Sequence, residues 1–407
     1  MDVVVVGSGG REQALVEVLG RTASVRVTPG NVGVPGSVAE PATELEADLF
    51  VIGPEQPLVD GLADELRAQG KTVFGPGRDG ARLEGSKAWM KEVLVDAGVP
   101  TARHAAFTAD QLEPALQYLE GMPGLYVIKT DGLAAGKGVV VTESIAEARD
   151  AVREYLSGAA FGAAGTTCVI EEGLSGPEIS IFAACDGTTA IPFGSAQDHK
   201  RVGDGDTGPN TGGMGTFSPV PVGNPAMIGH VMDTAIEPTL ATLRDKGIDY
   251  RGFLFAGLML TPDGPKMLEY NIRFGDPEAQ VVLPRLTSDL AVHLHEAASG
   301  SLSTPPTFSD DTVVCVVIAA EGYPASPRTG DRIEGVDAAR ALDGVTVYGV
   351  GIAEADDGSW LTAGGRVINV MGRGATLAEA RERAYAGVDL ISWPGAHARR
   401  DIAAGPE

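Results

Sequence analysis

The chain has 407 residues, of which 43% are hydrophobic and 21% charged, an ordinary composition for a soluble globular protein. That length exceeds what a single core organises, so we expect roughly two to four domains. The formal charge of −24, from 31 Lys and Arg against 55 Asp and Glu, argues against nucleic acids and anionic membranes as partners, because both are recognised through basic patches. Small anionic ligands are not excluded, since a few cationic side chains can be concentrated locally.

The first hundred residues alternate strand and helix signals. Continuous apolar runs predict buried parallel strands at 3–6, 48–53 and 72–75. Apolar residues at helical spacing predict helices at 11–19, 62–70 and 84–98. This βαβ pattern predicts an open parallel sheet. The chain enters its first strand directly after Met1, without a basic leader or a long apolar segment, and we expect a cytoplasmic protein.

From about residue 102 the pattern changes to a small α+β unit around the stretch "KTDGLAAGKGVVV" (129–141). Glycine-rich loops that carry lysine are typical of phosphate sites. The P-loop motif is nevertheless absent, because only three residues separate Gly132 from Gly136 and the following "VVV" predicts a strand, not a helix. We interpret the stretch as a flap between two strands, with Lys129 at a strand end and Lys137 on the glycine tip.

The rest of the chain alternates apolar elements with glycine-rich connections. Further helices are predicted at 110–120, 144–157, 224–246 and 376–391, and strands at 166–172, 177–184 and 312–320, with a hairpin over 252–273. The polar segment 195–219 is predicted to be a long loop, and its apolar flanks favour a functional loop over a disordered one. The three cysteines are far apart and lie mostly in apolar runs, which predicts buried thiols; they are Cys168, Cys185 and Cys315.

The stretch "MLEYNIRFGDPE" (267–278) is the strongest candidate for a metal site. Alternate residues of a strand share a face, so Glu269, Asn271 and Arg273 are predicted to lie opposite an apolar face of Leu268, Tyr270 and Ile272. A carboxylate and an amide oxygen two residues apart can hold Mg²⁺, and Arg273 can hold an anion. The alternative is a solvated strand face. Asp276, followed by Pro277, is also predicted to cap a helix.

Three other motifs leave alternatives open. The turn "GSGGRE" (7–12) has Glu12 where a dinucleotide fingerprint needs glycine, so it is either a single-phosphate site or simply a tight strand–helix turn. The acids of "VIEEGLSGPE" (169–178) favour a solvent-facing edge over a connector that meets a base and its ribose. His199 has no nucleophile in a triad-like context and is interpreted as structural.

Together these pieces resemble the ATP-grasp superfamily and, within it, the glycinamide ribonucleotide synthetase family. The resemblance spans essentially the whole chain and is carried by "GSGGREQAL", "PGN", "GPEQPL", "LEGSK", "KTDGLAAGKGV", "VIEE", "QDHKR", "GPNTGGMG" and "RFGDPE". It implies an α/β and α+β multidomain protein, with a Rossmann-like N-terminal domain with an open parallel sheet (1–101), an ATP-grasp domain (102–310) with a flap at about 122–188, and a strand-rich α+β C-terminal domain (311–407).

The resemblance also implies the reaction. ATP, glycine and 5-phosphoribosylamine would give glycinamide ribonucleotide, ADP and phosphate through glycyl phosphate, with Mg²⁺ or Mn²⁺ on Glu269 and Asn271, in a monomeric purine-biosynthesis enzyme. Catalytic roles fall on Arg273, Asp198 and Lys200. ATP would be bound by Lys129, Lys137, Gly136, Gly138, Glu171, Glu172, Glu178 and Asn271. The other substrates would be bound by Gly9, Gly10, Arg11, Asn31, Pro54, Glu55, Asn210, Thr211, Gly212, Gly213, Met214, Gly215 and Asp276.

Three positions depart from the family pattern. Gln13 replaces the usual His, Ile272 replaces a Cys on the apolar face, and Ala403 replaces a Gly, which puts only a local turn in doubt. The nearest alternative function is another ATP-grasp carboxylate–amine ligase, against which the "GPNTGGMG" loop argues. A non-catalytic nucleotide-binding regulator is a second alternative, and Glu12 disfavours an NAD oxidoreductase.

Overall fold

The structure is a computed structural model that describes residues 1–133, 138–158 and 167–405. Its N-terminal sheet is parallel, with strand order β2-β1-β3-β4, as predicted from the βαβ pattern. The strands are β1 (Asp2–Gly7), β2 (Ser24–Pro29), β3 (Leu49–Ile52) and β4 (Val73–Phe74). The helices are α1 (Gly10–Leu19), α2 (Glu55–Asp60), α3 (Leu62–Ala68), α4 (Arg78–Gly85) and α5 (Lys87–Asp96). Strand β1 is buried on both faces, which explains its unbroken valine run.

A small four-stranded antiparallel sheet follows, with strand order β5-β8-β6-β7. Its elements are β5 (His104–Thr108), α6 (Leu112–Glu120), β6 (Tyr126–Thr130), β7 (Val139–Thr142), α7 (Ile145–Leu156) and β8 (Thr167–Glu172). The two helices and the sheet share a core of their own. The predicted strands on either side of the glycine loop are therefore confirmed, whereas Gly136 and Lys137 lie outside the described residues.

The remaining strands form an eight-stranded sheet of order β15-β14-β9-β10-β13-β16-β20-β17 and two small hairpins, β11-β12 and β18-β19. The first strands are β9 (Glu178–Asp186), β10 (Ala190–Asp198), β11 (Arg201–Gly203), β12 (Thr207–Asn210), β13 (Gly215–Ser218), β14 (Arg251–Thr261) and β15 (Gly264–Asn271). The C-terminal strands are β16 (Thr312–Ala319), β17 (Val345–Gly349), β18 (Ile352–Glu354), β19 (Trp360–Thr362) and β20 (Arg366–Gly374). The antiparallel pairing of β13 with β16 joins the central and C-terminal strands.

Helices flank this sheet. They are α8 (Pro225–Val231), α9 (Glu237–Asp245), α10 (Ala279–Val282), α11 (Leu290–Ser299), α12 (Val336–Arg340) and α13 (Leu377–Val388), and a π-helical turn at Met232–Ile236 joins α8 to α9. All three cysteines are buried, as predicted. Among the residues that the structure describes, none of the helices combines the length and apolar character that crossing a bilayer requires.

Two predictions of secondary structure are wrong. The single helix at 84–98 is two helices, because Ser86 is extended and its hydroxyl accepts a hydrogen bond from the Trp89 N–H at 3.2 Å, starting α5 anew. The segment 195–219 is not one long loop, since it contains the end of β10 together with β11, β12 and β13. Its glycines obscure the alternation that reveals strands, while its backbone hydrogen bonds still follow antiparallel ladders.

Candidate active site

Strand β15 presents the predicted metal face, but its alternation is interrupted. The β14–β15 register shifts between Gly257 and Leu258, where Met267 and Glu269 pair and Leu268 is left over. Because of this bulge Met267, rather than Leu268, packs into the core with Tyr270 and Ile272. The prediction for Leu268 is therefore wrong. Asn271 and Arg273 do lie together, since Arg273 Nη2 donates to Asn271 Oδ1 at 3.2 Å.

Four lysines surround the Glu269 region, and we call them the lysine cluster: Lys87, Lys91, Lys129 and Lys200. Burial raises the pKa of Glu269, but the positive charges of Lys200, Lys129 and Lys87 outweigh it and hold that pKa below its usual value. Within the described residues the Glu269 carboxylate accepts no hydrogen bond and has no cation within 4 Å. Its negative charge is thus stabilised from a distance and its oxygens stay accessible.

Glu171 and Glu178 pair with members of the lysine cluster. Glu171 is buried and lies between two ammonium groups, 2.9 Å from Lys91 and 3.0 Å from Lys129. Burial raises its pKa, but the positive charges of Lys129 and Lys91 lower it by more, so the net shift is downward. The interpretation of a solvent-facing edge is therefore wrong for Glu171. Glu178 accepts a hydrogen bond from Lys200 at 2.6 Å, and both side chains are partly exposed.

Sequence reasoning missed Lys87 and Lys91. They lie four residues apart on α5, so they share one helix face. Lys91 falls among the buried apolar residues of that helix, and this is the signal that could have identified it, because lysine is almost never fully buried without a partner. Lys87 donates to the carbonyl of Gly132, which ties α5 to the base of the flap loop.

In a second group of cations each guanidinium contacts a carboxylate, and we call it the arginine cluster: Arg11, Arg273 and Arg366. Arg273 donates to Glu55 at 3.1 Å and to Glu84 at 2.6 Å. Burial lowers the pKa of Arg273, but Glu84 and Glu55 raise it well above its usual value. The guanidinium is therefore a permanent charge held in a fixed orientation.

The other two arginines join distant parts of the chain. Arg11 pairs with Glu12 at 2.6 Å and donates to the Phe274 carbonyl at 3.2 Å. Arg366, on β20, pairs with Asp276 at 3.1 Å and donates to the Gly212 carbonyl at 2.6 Å. The cluster therefore links the N-terminal turn, the segment after β15, the 212–213 glycines and the C-terminal strands.

Asp276 does not cap a helix as predicted. The helix begins at Ala279, beyond the reach of a cap at position 276. The Asp276 carboxylate instead accepts from the Arg11 N–H at 3.3 Å and from the Gln280 side chain at 3.0 Å. Burial raises its pKa, but Arg366 and Arg11 lower it more, so the net shift is downward. Asp276 is thus an ionised link between the N-terminal turn and the C-terminal strands.

The "GSGG" turn is shaped by Glu12. The Gly9 N–H donates to Glu12 Oε2 at 2.7 Å, so this amide is already satisfied by the protein. Gly7 has φ +131°, and a Cβ there would lie 2.6 Å from Glu12 Cδ, so only glycine fits against that carboxylate. Asn31 donates to the Ser8 carbonyl at 2.6 Å and to the Gly349 carbonyl at 3.1 Å, and it thereby braces the turn. Pro54 precedes α2, which begins at Glu55.

The segment 198–215 folds back on Lys200. The Lys200 carbonyl accepts from both the N–H and the hydroxyl of Thr211 at 2.8 Å. The Gly213 N–H donates to the Thr211 hydroxyl at 3.0 Å, and Met214 is buried. His199 is half-buried, and burial lowers its pKa. Its Nδ1 has no partner in the described part of the chain.

Asp198 and Glu278 are two interacting carboxyl groups beside these residues; Glu278 is buried and Asp198 is half-buried. Burial and the charge of Asp198 raise the pKa of Glu278 to about 7, and burial likewise raises the pKa of Asp198. Asn210 pairs with Arg201 in the β11–β12 hairpin, and Glu172 accepts from the Arg103 N–H at 3.0 Å. The described contacts do not join Asn31, Asn210 or Glu172 to Glu269.

Comparison with known proteins identifies relatives over the whole chain. Models of the phosphoribosylglycinamide synthetase family match the N domain at residues 1–84, the ATP-grasp (A) domain at 85–279 and the C domain at 313–405. The chain is 47% identical over 420 residues to the phosphoribosylamine–glycine ligase of Mesorhizobium japonicum, covering 99% of this chain and 97% of that protein.

Two solved structures extend the comparison. The phosphoribosylamine–glycine ligase from Thermotoga maritima superposes with a TM-score of 0.87 at 33% identity, over 99% of this chain and 100% of that one. The biotin carboxylase domain of the Hydrogenobacter thermophilus 2-oxoglutarate carboxylase, in complex with MgADP, ADP and bicarbonate, superposes with a TM-score of 0.73 at 16% identity, over 98% and 91% of the two chains. The second likeness concerns the fold alone.

Proposed function

Since the chain belongs to the phosphoribosylglycinamide synthetase family and has phosphoribosylamine–glycine ligase activity in purine biosynthesis, we propose how its residues divide the work of an ATP-dependent ligation. The observation that carries the proposal is the Glu269 carboxylate, accessible among lysine ammonium groups and two residues from Asn271. Such an arrangement attracts a metal ion and polyphosphate together, because it offers oxygen ligands to one and cations to the other.

The proposed reaction has two steps. A glycine carboxylate oxygen attacks the γ-phosphorus of ATP, and the bond from that phosphorus to the ADP oxygen breaks. The amine of 5-phosphoribosylamine then attacks the carbonyl carbon of glycyl phosphate, phosphate leaves, and the new amide nitrogen loses a proton. Phosphoryl transfer needs alignment and charge neutralisation more than a protein nucleophile. Lys129 and Lys200 supply those charges, and Lys137 is proposed to add a third.

The residues present fit Mg²⁺, with Mn²⁺ as an alternative. Mg²⁺ binds through one or two protein oxygens and completes its shell with water and phosphate oxygens. Glu269 has no competing partner among the described residues, and the Asn271 oxygen accepts only from Arg273. When bound there, the metal would neutralise charge on the phosphates. Glu269 and Asn271 would hold it, while Lys129 and Lys200 face the nucleotide.

The contacts narrow the proposed role of Arg273. Of its five N–H donors, Nε and both Nη2 donors are directed at Glu55, Glu84 and Asn271, and one Nη1 donor reaches the Phe274 carbonyl at 3.4 Å. One Nη1 donor is left without a partner in the described part of the chain. Arg273 can therefore meet a glycine carboxylate or acyl phosphate through one hydrogen bond, not through a bidentate clamp.

ADP release with each substrate omitted in turn tests this proposal. We expect turnover only with ATP, Mg²⁺, glycine and 5-phosphoribosylamine together. Turnover without the ribosylamine, or none with the full set, would contradict it. A different carboxylate–amine ligase would instead show turnover when another amino acid replaces glycine. Size-exclusion chromatography tests the predicted monomer.

A further inference from the structure

Lys91 is a buried lysine that the proposed reaction does not use. Only 1% of its surface is exposed, and its ammonium donates to Thr101 Oγ1 at 2.8 Å and to Glu171 Oε2 at 2.9 Å. Burial lowers the pKa of Lys91 to about 8, against the opposing effect of Glu171. An ammonium buried this deeply is unfavourable unless it is paired, so the role of Lys91 depends on the carboxylate with which it pairs.

That partner, Glu171, is shared with a lysine of the proposed ATP site. Glu171 Oε1 lies 3.0 Å from Lys129 Nζ, yet it accepts no hydrogen bond from the described residues. Two ammonium groups and one carboxylate leave this buried group with a net positive charge.

We propose that Lys91 is a positioning residue that neutralises Glu171, so that the ammonium group of Lys129 remains available to the phosphates of ATP. This inference rests on the proposed role of Lys129. In the absence of Lys91, Glu171 and Lys129 would form one neutral buried pair, and the strong attraction in a low-dielectric site would hold the ammonium on the carboxylate. Lys91 weakens that attraction by sharing the carboxylate through its other oxygen.

The same network reaches the strand that carries Glu269. The Thr101 hydroxyl, which accepts from Lys91, donates to the Met267 carbonyl at 2.6 Å. Lys129 Nζ lies 3.4 Å from the Leu268 carbonyl. Both lysines therefore connect to the backbone immediately before Glu269, and the charge balance of Glu171 is set next to the proposed metal ligand.

Replacement of Lys91 by Met, which keeps the volume and removes the charge, tests the inference. We expect KM for ATP to rise ~10-fold and kcat to fall by no more than ~10-fold, while KM for glycine stays within about 2-fold, because Lys129 is assigned to the phosphates of ATP and not to glycine. Steady-state ADP release measures all three. Lys71→Met is the matched control, since Lys71 is another buried lysine but donates to the backbone carbonyls of Thr43 and Leu45. Its kinetics should be those of the wild type.

A double variant separates charge balance from packing. Lys91→Met combined with Glu171→Gln removes one charge of each sign, and we expect it to recover most of the ATP affinity lost in K91M. A merely structural role of Lys91 predicts that the double variant has a higher KM for ATP than K91M. That result would overturn the inference, and so would a K91M variant with the wild-type KM for ATP. If K91M does not fold, the double variant decides by itself: KM within about 3-fold of wild type supports the inference, and a larger increase overturns it.

Lys129→Met distinguishes failure of this inference from failure of the proposed function. If K129M leaves KM for ATP unchanged, the proposed role of Lys129 is wrong and the inference falls with it. If K129M raises KM for ATP but K91M does not, the ATP site stands and only the role assigned to Lys91 is wrong.

Discussion

The lysine cluster surrounds Glu269 near the end of β15, the arginine cluster includes Arg273 just after that strand, and the two clusters use positive charge differently. Each guanidinium of the arginine cluster is in contact with a carboxylate: Arg11 with Glu12, Arg273 with Glu55 and Glu84, and Arg366 with Asp276. The lysines surround Glu269 without touching it. The arginines thus fix geometry, while the lysines provide a positive field with room for an anion.

The difference follows from the two side chains. A planar fork with several donors can join partners from distant segments in one orientation, which suits a group that ties β20 to the N-terminal turn. An ammonium is a compact charge on a flexible stem, and it can follow a phosphate through a reaction. Variants in the two regions should therefore differ in what they lose. Substitution of Glu269 within the lysine cluster should reduce activity without reducing stability, whereas substitution in the arginine cluster should first reduce stability.

The largest effect is expected for Glu269→Ala. Loss of the central carboxylate should reduce Mg²⁺-dependent turnover by on the order of 10³-fold or more, because the metal loses its charged ligand. Thermal unfolding should remain cooperative. Glu269→Gln should be nearly as inactive, which would assign the loss to charge. Glu113→Ala, at an exposed position, is the control. Near-wild-type turnover across a Mg²⁺ titration would remove Glu269 from the metal site.

Arg273→Met should, in contrast to Glu269→Ala, reduce the stability of the fold. It leaves Glu84 and Glu55 without their main partner, and breaking a buried pair in this way costs about 3–5 kcal/mol of unfolding free energy. Burial already raises the pKa of Glu84, so without Arg273 it can be protonated, and the loss should be smaller at pH 5 than at pH 8.

Urea denaturation at the two pH values measures this loss. Arg149→Met, which breaks a partly exposed pair with Glu120, should cost less than about 1 kcal/mol. Equal losses in the two arginine variants would show that the arginine cluster is not the rigid frame described above.

Glu278 is affected by charges of both clusters, those of Arg273 and Lys200, and should make stability depend on pH. Burial and Asp198 raise its pKa from 4.5 to about 7, so the folded state favours the protonated acid. Its contribution is complete below about pH 4.5 and is lost as the pH rises to about 7, a change of up to about 3 kcal/mol. Glu278→Gln should remove that slope. Unfolding free energies of both proteins between pH 4.5 and 8 test it, and parallel profiles would contradict the prediction.

Much of the fold, and part of the site, could be predicted from the sequence because they depend on local patterns. The valine run of β1 and the Glu-x-Asn spacing of β15 are periodic signals within one element. The arginine cluster could not be found in this way, because the partners of Arg273 come from positions 55 and 84. Such pairings depend on the tertiary arrangement of the elements.

Local irregularities account for the other misses. A bulge at Leu268 changes which residue faces the core, and no periodic pattern reports an inserted residue. Asp276 has the composition of a helix cap, but Arg11 and Arg366 compete for its carboxylate. The apolar surroundings of Lys91 in α5 indicate that it is buried, but they do not indicate its partner, because Glu171 lies on a distant strand.

The smallest effect is predicted for Ala403, which belongs to neither cluster. Its substitution shows how much stability can change while the site stays intact. Ala403, where the family usually has glycine, is buried and has φ +57°, a left-handed conformation that costs an alanine about 1–2 kcal/mol. Ala403→Gly removes this strain but also loses a buried methyl group and gains unfolded-state entropy, so we expect a net stabilisation below about 1 kcal/mol. Ala404→Gly, at the exposed neighbour, should not stabilise. Scanning calorimetry with parallel ADP-release assays tests both variants, and a destabilised A403G would mean that the packing of the methyl group outweighs the backbone strain.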